Sequence, residues 1–353
     1  MQSKDKPESN SDTLSDSVQT NEAISPHMIT EDSVQSGKVP VVHVGTQQAV
    51  SELQPKTSTY SIATTSTVLR PLPLVEQPSE SERTLREWLS IWWEGIRPVY
   101  LGLSLLPAVL GSVVAWTQSI SPSTPRGTFH PILFVLTIIA VLLLQISAHL
   151  INDYYDFLRG IDTNNSLGPG GLIQQGIIKP ARVLAVGLIA LGLGALLGIL
   201  IAVSSGWLVI VFGLIGVLAA YFYSGIPKGL SSLALGEFIC FFIFGPLITI
   251  GSYIVQTGHV ERIVYIYSIS LGLLATAFIH LNNMRDAESD TPAGKLTLAS
   301  LLGLGLSRTL YVILVIGAYA PIVALALPRH APHILLIVLW TLPILVIAIT
   351  TVL

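Results

Sequence analysis

Eight long apolar runs, at about 98–117, 131–151, 183–204, 207–223, 233–256, 263–281, 304–327 and 333–353, decide what this chain can fold into. Most of them reach the roughly 20 residues that a helix needs to cross a hydrocarbon core. The run at 207–223 is short, and the glycines and prolines near it leave its ends open. With 51% hydrophobic residues, only 11% charged residues and a mean hydropathy of +0.68, the chain is too apolar for a soluble globular protein. The expected architecture is an all-α, polytopic membrane bundle of about eight helices, occupying residues 98–353 and embedded in the lipid bilayer.

Two shorter regions precede the bundle. Residues 1–80 are rich in Ser, Thr, Gln, Glu and Pro and show no sustained apolar period, so a disordered polar tail is expected there. The tail has neither a basic segment followed by an apolar one, as a secretory signal requires, nor the acid-poor composition of a transit peptide. Within residues 81–97, Trp88, Trp92 and Trp93 alternate with Arg83, Arg86, Glu87 and Glu94, a mixture suited to an amphipathic helix lying in the headgroup region. Loop charges give an orientation. Arg159, Lys179, Arg182, Lys228, Arg285 and Lys295 fall on one side and only Arg126, Arg262 and Arg329 on the other, which places the first side in the cytoplasm. The expected location is a bacterial plasma membrane. The single cysteine, Cys240, lies in an apolar run and reads as a small buried hydrophobe, so no disulfide framework or Cys-based metal site is available.

The chemistry concentrates in two short stretches. After Asp32 the chain has five aspartates, and all of them lie either in Asn152–Asp162 (Asp153, Asp156, Asp162) or in Asn282–Asp290 (Asp286, Asp290). The stretches share a pattern, Asn-Asp-x-x-Asp in the first and Asn-Asn-x-x-Asp in the second. Helical spacing projects Asp153 with Asp156, and Asp286 with Asp290, from one face each, so that either pair can hold a cation. A charge at the centre of a bilayer costs about 2.5 to 3.5 kcal/mol even on lenient scales, so these acids must face water, a metal or one another. A carboxylate-rich, thiol-free set selects a hard divalent cation, and Mg²⁺ is typically held by one or two carboxylates together with substrate phosphates. The cluster therefore predicts a phosphorylated substrate. Asn152, Asn282 and Asn283 can add neutral oxygens, and Arg159, Lys228, Arg285 and Lys295 can pair with phosphate. The competing reading of each stretch is a solvated, charge-balanced turn, because Arg159 and Arg285 sit among the acids. Two patterned stretches holding every aspartate after Asp32 favour a binding site.

These residues carry a resemblance. Asn152-Asp153-x-x-Asp156-x-x-x-Gly160-x-Asp162, followed by Gly168-Pro169 and Gln174-Gln175-Gly176, is similar to the first aspartate motif of the UbiA superfamily of intramembrane prenyltransferases. The second motif, from Asn282 through Asp286 and Asp290 to Lys295 and Leu298, resembles the branch that prenylates 1,4-dihydroxy-2-naphthoate on the way to menaquinone, as do Tyr223-Ser-Gly-Ile-Pro-Lys228 and Leu235-Gly-Glu237. The resemblance covers residues 95–353. It implies that both motifs bind the diphosphate of a polyprenyl donor through Mg²⁺, with Asn152, Asp153, Asp156, Asp286 and Asp290 as the metal set. It also implies an aromatic acceptor, and nucleic acid is not an expected partner. Metal ions would neutralise the leaving diphosphate, and aromatic faces would stabilise the allylic cation, with Tyr154, Tyr221 and Tyr223 as candidates by position. Two departures stand out. Family members often have a basic residue after Gly168-Pro169, where this chain has Gly170 and Gly171, so Lys179 or Arg182 is expected to substitute. Members also have nine spans against the eight runs read here, which makes the expected count eight or nine.

Other functions fit less well. A cation-coupled transporter accounts for repeated acidic segments but not for acids set among bases in cytoplasmic loops. A phosphatidyl-type alcohol phosphotransferase would need an Asp-Gly-x-x-Ala-Arg signature, which is absent. His149 and His280, each just before a motif, read as hydrogen-bonded structural histidines, and Glu237 near the start of a span is a functional candidate.

Overall fold

A computed structural model describes residues 83–119, 129–161, 171–225, 229–327 and 333–353. The expected tail over residues 1–80 and the candidates Asp162 and Lys228 lie outside the described residues. Among the described residues there are helices and turns but no strand. They run as α1 (Leu85–Ile96), α2 (Pro98–Ser119), α3 (Pro131–Leu158), α4 (Pro180–Ser205) and α5 (Trp207–Phe222). There follow α6 (Gly236–Phe242), a π-helical turn (Ile243–Leu247) and α7 (Ile248–Thr257), which together form one span, Gly236–Thr257. The chain continues as α8 (Arg262–Asp290), α9 (Leu298–Ala326), a 3₁₀ segment (His333–Thr341) and α10 (Leu342–Val352). Seven spans are long and apolar enough to cross a membrane, and α5, at 16 residues, is the short eighth that the sequence suggested. The protein is a polytopic helical membrane bundle.

Local sequence sets the helix ends. Pro98, Pro131 and Pro180 each open a helix, where a missing N–H costs nothing. Thr84 with Glu87 and Thr297 with Ser300 form reciprocal caps on α1 and α9, and the hydrogen bonds from Thr84 hold the Glu87 carboxyl below its usual range. Gly303, at φ 72° and ψ 167°, interrupts α9 just after its first turn. Pro246 has no N–H to give to the ladder, and the π-turn around it absorbs the defect.

Two expectations change here. The aspartate motifs were read as loops, but α3 continues to Leu158 and α8 to Asp290, so Asp153, Asp156, Asp286 and Asp290 ride on the last turns of helices. Hydropathy falls where a helix leaves the apolar layer, while its hydrogen-bond ladder does not have to stop there. The last run is also not a uniform α-helix, because it starts as 3₁₀ over His333–Thr341.

The bundle is patterned inside out relative to a soluble one. Leu188, Ile189, Leu193, Leu196, Ile199 and Ile210 are exposed, whereas Ser104, Ser112, Ser147, Thr249, Ser252, Ser268 and Thr276 are buried at helix crossings. Small residues let backbones approach where lipid supplies no hydrophobic drive between helices. The crossings of α2 with α7 and of the π-turn with α8 are tight in consequence: a Cβ on Gly111 would overlap the Thr249 carbonyl oxygen, and one on Gly245 would lie 2.6 Å from the Ser268 carbonyl oxygen and 2.8 Å from Gly272 Cα. At the other side of the motif end, α1 seats Trp88, Ile91 and Trp92 against Leu150, Leu172 and Ile178. A parallel bridge, Leu233 with Leu296, joins the approach to α6 to the approach to α9.

Candidate active site

The bundle encloses a cavity of about 640 Å³ lined from α2, α3, α5, the Gly236–Thr257 span and α8, together with the segment around Gln174. One stripe of α3 shows how it is graded. Val141, Leu144, Gln145, Ala148, His149, Asn152 and Asp156 all face it, apolar at the start and polar at the end. That stretch of helix rises about 22 Å. Leu103, Gly216, Phe244, Leu247 and Ile248 extend the apolar part, while Arg97, Gln174, Asn282, Arg285, Asp286 and Lys295 crowd the polar end. The site is thus shaped for an elongated amphiphile with a charged head.

Each of the four described motif aspartates has a basic neighbour. Asp153 pairs with Arg97, Asp156 with Arg159 at 3.2 Å, Asp286 with Arg285 at 2.7 Å and Asp290 with Lys295 at 3.1 Å. These bases offset the unfavourable placing of acids at helix C-termini. Asn152 bridges within the first motif: its Nδ2 donates to Asp156 Oδ2 at 2.9 Å, and its Oδ1 accepts from the Ser224 hydroxyl at 2.5 Å. Arg159 adds a bond to the Ser224 carbonyl, so the end of α3 is tied to the turn after α5. In the second motif, Asn283 Nδ2 donates to Glu237 Oε1 at 2.8 Å. His149 donates from Nδ1 to the Ile96 carbonyl, since a carbonyl only accepts, which leaves Nε2 to accept from Gln145 at 3.0 Å.

Three buried polar atoms on the cavity lining find no hydrogen-bond partner among the described residues: Arg97 Nε, Asn282 Nδ2 and Gln174 Oε1. Buried donors without partners are rare in folded proteins and point to a ligand. No group of three or more His, Cys, Asp or Glu side chains stands ready to hold a metal among the described residues. The donor set at the polar end nevertheless fits a hard divalent ion, because it offers carboxylate and amide oxygens, and Mg²⁺ completes its shell with water and substrate phosphate.

A family model for UbiA prenyltransferases matches residues 98–353, the whole of the bundle that builds this cavity. The chain belongs to the UbiA prenyltransferase family. It is a prenyltransferase. Among curated relatives, a 1,4-dihydroxy-2-naphthoate octaprenyltransferase of Bacillus subtilis is 32% identical over 253 residues, covering 72% of this chain and 79% of the relative. The protein of the same name from Haemophilus influenzae is 34% identical, covering 66% and 76%. The mouse UbiA prenyltransferase domain-containing protein 1 is 33% identical, covering 76% and 77%. A solved structure of a UbiA homologue from Archaeoglobus fulgidus bound to DMAPP and Mg²⁺ shares the fold, with a TM-score of 0.53 at 17% identity over 74% of this chain and 86% of that one.

The prenyltransferase cavity gathers many of the residues singled out in the sequence but not all. Asn152, Asp156, Tyr223, Asn282, Asn283, Arg285, Asp286 and Lys295 line it. Asp153 and Asp290 stand directly behind, on the bases Arg97 and Lys295 that do line it. Arg159 is turned to Asp156 and Ser224. Lys179 and Arg182 do not reach the cavity; Lys179 caps α4, and Arg182 lies over the Trp88 ring at 5.5 Å. Tyr154 packs against the Leu150 cluster, and Tyr221 meets Tyr155 through its hydroxyl, so of the three candidate tyrosines only Tyr223 faces the cavity. The sequence reading missed Tyr100, Gln145 and the site role of Arg97. Arg97 takes a left-handed conformation (φ 57°, ψ 66°) immediately before Pro98, and that corner between α1 and α2 swings its guanidinium to Asp153. An Arg-Pro dipeptide at the start of a span is the signal that was available.

Proposed function

We propose that this prenyltransferase moves a polyprenyl group from a polyprenyl diphosphate to an aromatic acceptor, 1,4-dihydroxy-2-naphthoate, with Mg²⁺, in menaquinone biosynthesis. The observation that carries the reading is the graded cavity: both aspartate motifs at one end and an apolar stripe of α3, α5 and the π-turn running away from them. The naphthoate acceptor is supported by the two octaprenyltransferase relatives.

The chain's own residues suit each requirement of the reaction. Arg97 Nε and Asn282 Nδ2 are unpartnered donors for the oxygens of the diphosphate, and Lys295 adds a charge beside them. Asp156 and Asp286, facing one another's end of the cavity with Asp153 and Asp290 behind, are the carboxylates for Mg²⁺. A bound Mg²⁺ would neutralise charge developing on the leaving diphosphate. Val141, Leu144, Leu247 and Ile248 keep water from the prenyl chain, which protects an allylic cation from hydrolysis. Tyr100 and Tyr223 offer aromatic faces to that cation. The hydrogen-bonded Gln145 and His149 lie between the polar end and the apolar depth, where a ring with hydroxyl groups would rest. Hydroxyls on that ring raise its electron density, so attack on the cation needs no strong base.

The test is to supply purified protein in detergent with one polyprenyl diphosphate, Mg²⁺ and a panel of acceptors. Diphosphate release with the naphthoate preferred in kcat/KM supports the full reading. Preference for 4-hydroxybenzoate, haem, a chlorophyllide or a lipid alcohol overturns the acceptor alone, and absence of Mg²⁺-dependent diphosphate release overturns the donor chemistry.

A further inference from the structure

Glu237 and His280 form a buried pair that the reaction described above does not use. Glu237 is 3% exposed, and His280 is fully buried. They join three helices: Glu237 on α6 meets His280 Nδ1 on α8 at 3.1 Å, and His280 Nε2 meets the Ser307 carbonyl on α9 at 3.2 Å. Because a carbonyl only accepts, Nε2 carries a hydrogen, and the ring is locked between two acceptors. Both bonds that Glu237 makes to side chains, from His280 and from Asn283, end on the same oxygen, Oε1. An ionisable pair inside a membrane bundle is expensive and calls for a functional account.

The account lies one residue along α8. Asn282 and Asn283 both line the polar end of the cavity, yet their amides are treated differently. A carboxylate oxygen can only accept, so the amide nitrogen of Asn283 is committed to Glu237 and its Oδ1 is the acceptor left over. Asn282 keeps its Nδ2 buried with no partner among the described residues. One amide is therefore presented as a donor and the next as an acceptor.

We infer that Glu237, held by His280, is a positioning residue that fixes the Asn283 amide with its oxygen toward the cation of the donor complex, while Asn282 serves the diphosphate. The arrangement follows the rule that a metal ligand is aimed by a second hydrogen-bonded group, whose loss typically weakens metal affinity 10- to 100-fold. This inference rests on the Mg²⁺ and diphosphate reading given above.

The decisive measurement is a Mg²⁺ titration of thermal stability in the presence of geranylgeranyl thiolodiphosphate, a donor that does not react. The main variant is Glu237→Leu with His280→Leu, which removes both charges together and so avoids stranding one in the core. It is expected to unfold near the wild-type temperature without ligand but to need about tenfold more Mg²⁺ for half of the ligand-induced stabilisation. Glu237→Gln keeps an oxygen at the Oε1 position and should stay within about threefold of wild type. Adding Asn283→Ala to the double variant should bring no further loss, because both act through one amide. Wild-type Mg²⁺ dependence in the double variant, a defect in Glu237→Gln as large as that of the double, or an additive effect of Asn283→Ala would each overturn the inference. If the double variant does not fold, Glu237→Met removes the acceptor alone and is read by the same titration with the same criteria. A wild-type protein that gains no Mg²⁺-dependent stability from the analogue would instead remove the diphosphate reading on which this one stands.

Discussion

Arg97 offers the sharpest separation of stability from catalysis. Its Nη2 pairs with Asp153 Oδ1, and the two side chains are only 13% and 7% exposed. Exposed pairs are worth about 0 to 1 kcal/mol, whereas removing one partner of a buried pair costs about 3 to 5 kcal/mol because the other charge is stranded. The low exposure here places Arg97→Gln near the lower end of the second range, about 3 kcal/mol. At roughly 2 to 4 °C per kcal/mol, the melting temperature should fall by about 6 to 12 °C. Glutamine keeps the same left-handed backbone burden before Pro98, so the loss reports the ion pair alone. A thermal scan in detergent followed by tryptophan fluorescence reads it, since Trp88, Trp92 and Trp93 lie on the adjoining α1. The second variant, Arg97→Gln with Asp153→Asn, replaces the pair with two neutral amides and should recover most of the stability. Its prenyl transfer should remain far below wild type, because both a diphosphate donor and a motif carboxylate are gone. A double variant as unstable as Arg97→Gln would show that stranded charge is not what the mutation exposes, and the reasoning would fail.

Asp286→Asn and Asp290→Asn should each lower kcat by at least about tenfold, one 1.4 kcal/mol step in the barrier. Ligand-free melting should stay near wild type for Asp286→Asn, whose partner Arg285 is 34% exposed, and fall for Asp290→Asn, which strands Lys295; full activity in either would sink the shared carboxylate site. Gly245→Ala places a methyl against the Ser268 carbonyl and Gly272 backbone, neither of which can rotate away, and should cost about 1 to 3 kcal/mol in chemical or thermal denaturation. For orientation, single cysteines in a Cys240→Ala background at the exposed positions Glu288 and His259 should behave oppositely toward an impermeant thiol reagent in intact cells. Protection at Glu288→Cys with labelling at His259→Cys fits the motif end facing the cytoplasm, and the reverse inverts the topology.

The helices were legible because membrane spans are written in composition and length, and prolines at 98, 131 and 180 mark three starts directly. Their ends were not, because hydropathy records the apolar layer while the ladder of α3 and α8 runs beyond it to Leu158 and Asp290. The two motifs could be paired from spacing alone. What decided the rest of the cavity lining was geometry that spacing does not encode. The Gln145 and His149 pair lies inside an apolar run, where His149 read as a hydrogen-bonded structural histidine and Gln145 gave no signal, yet the helical repeat from Asn152 sets them on its stripe two turns and one turn back. Arg182 was assigned to phosphate on charge, and only the packing of α1 shows that Trp88 occupies it. Glu237 announced itself as an acid near the start of a span, but its partners His280 and Asn283 come from α8, and the Ser307 carbonyl that holds His280 from α9, and these needed coordinates.

The charge arrangement at the polar end also explains why such a site would use carboxylates to bind an anion. Four aspartates there are matched by four bases, Arg97, Arg159, Arg285 and Lys295, each already paired. A diphosphate entering that end meets no surplus of positive charge from these groups. Its charge has to be met by cations brought with it or drawn in, and the carboxylates are the groups that can receive them, each releasing its base to turn toward phosphate oxygens as it does so. A site built on a surplus of arginines would hold the diphosphate before and after transfer alike, and would bind donor and leaving group about equally well. Binding that does not distinguish the ground state from the charge developing at the leaving oxygen does nothing for kcat. The balanced arrangement leaves these eight groups with no net charge within a low-dielectric bundle, where a net charge is costly. It also makes tight binding of the anion conditional on a divalent ion. Donor affinity should therefore rise with Mg²⁺ and fall on its removal by a chelator, with no comparable effect of monovalent salt at equal ionic strength. Equal donor affinity with and without Mg²⁺ in a direct binding measurement would show instead that the bases suffice and that the pairing of the aspartates is only structural.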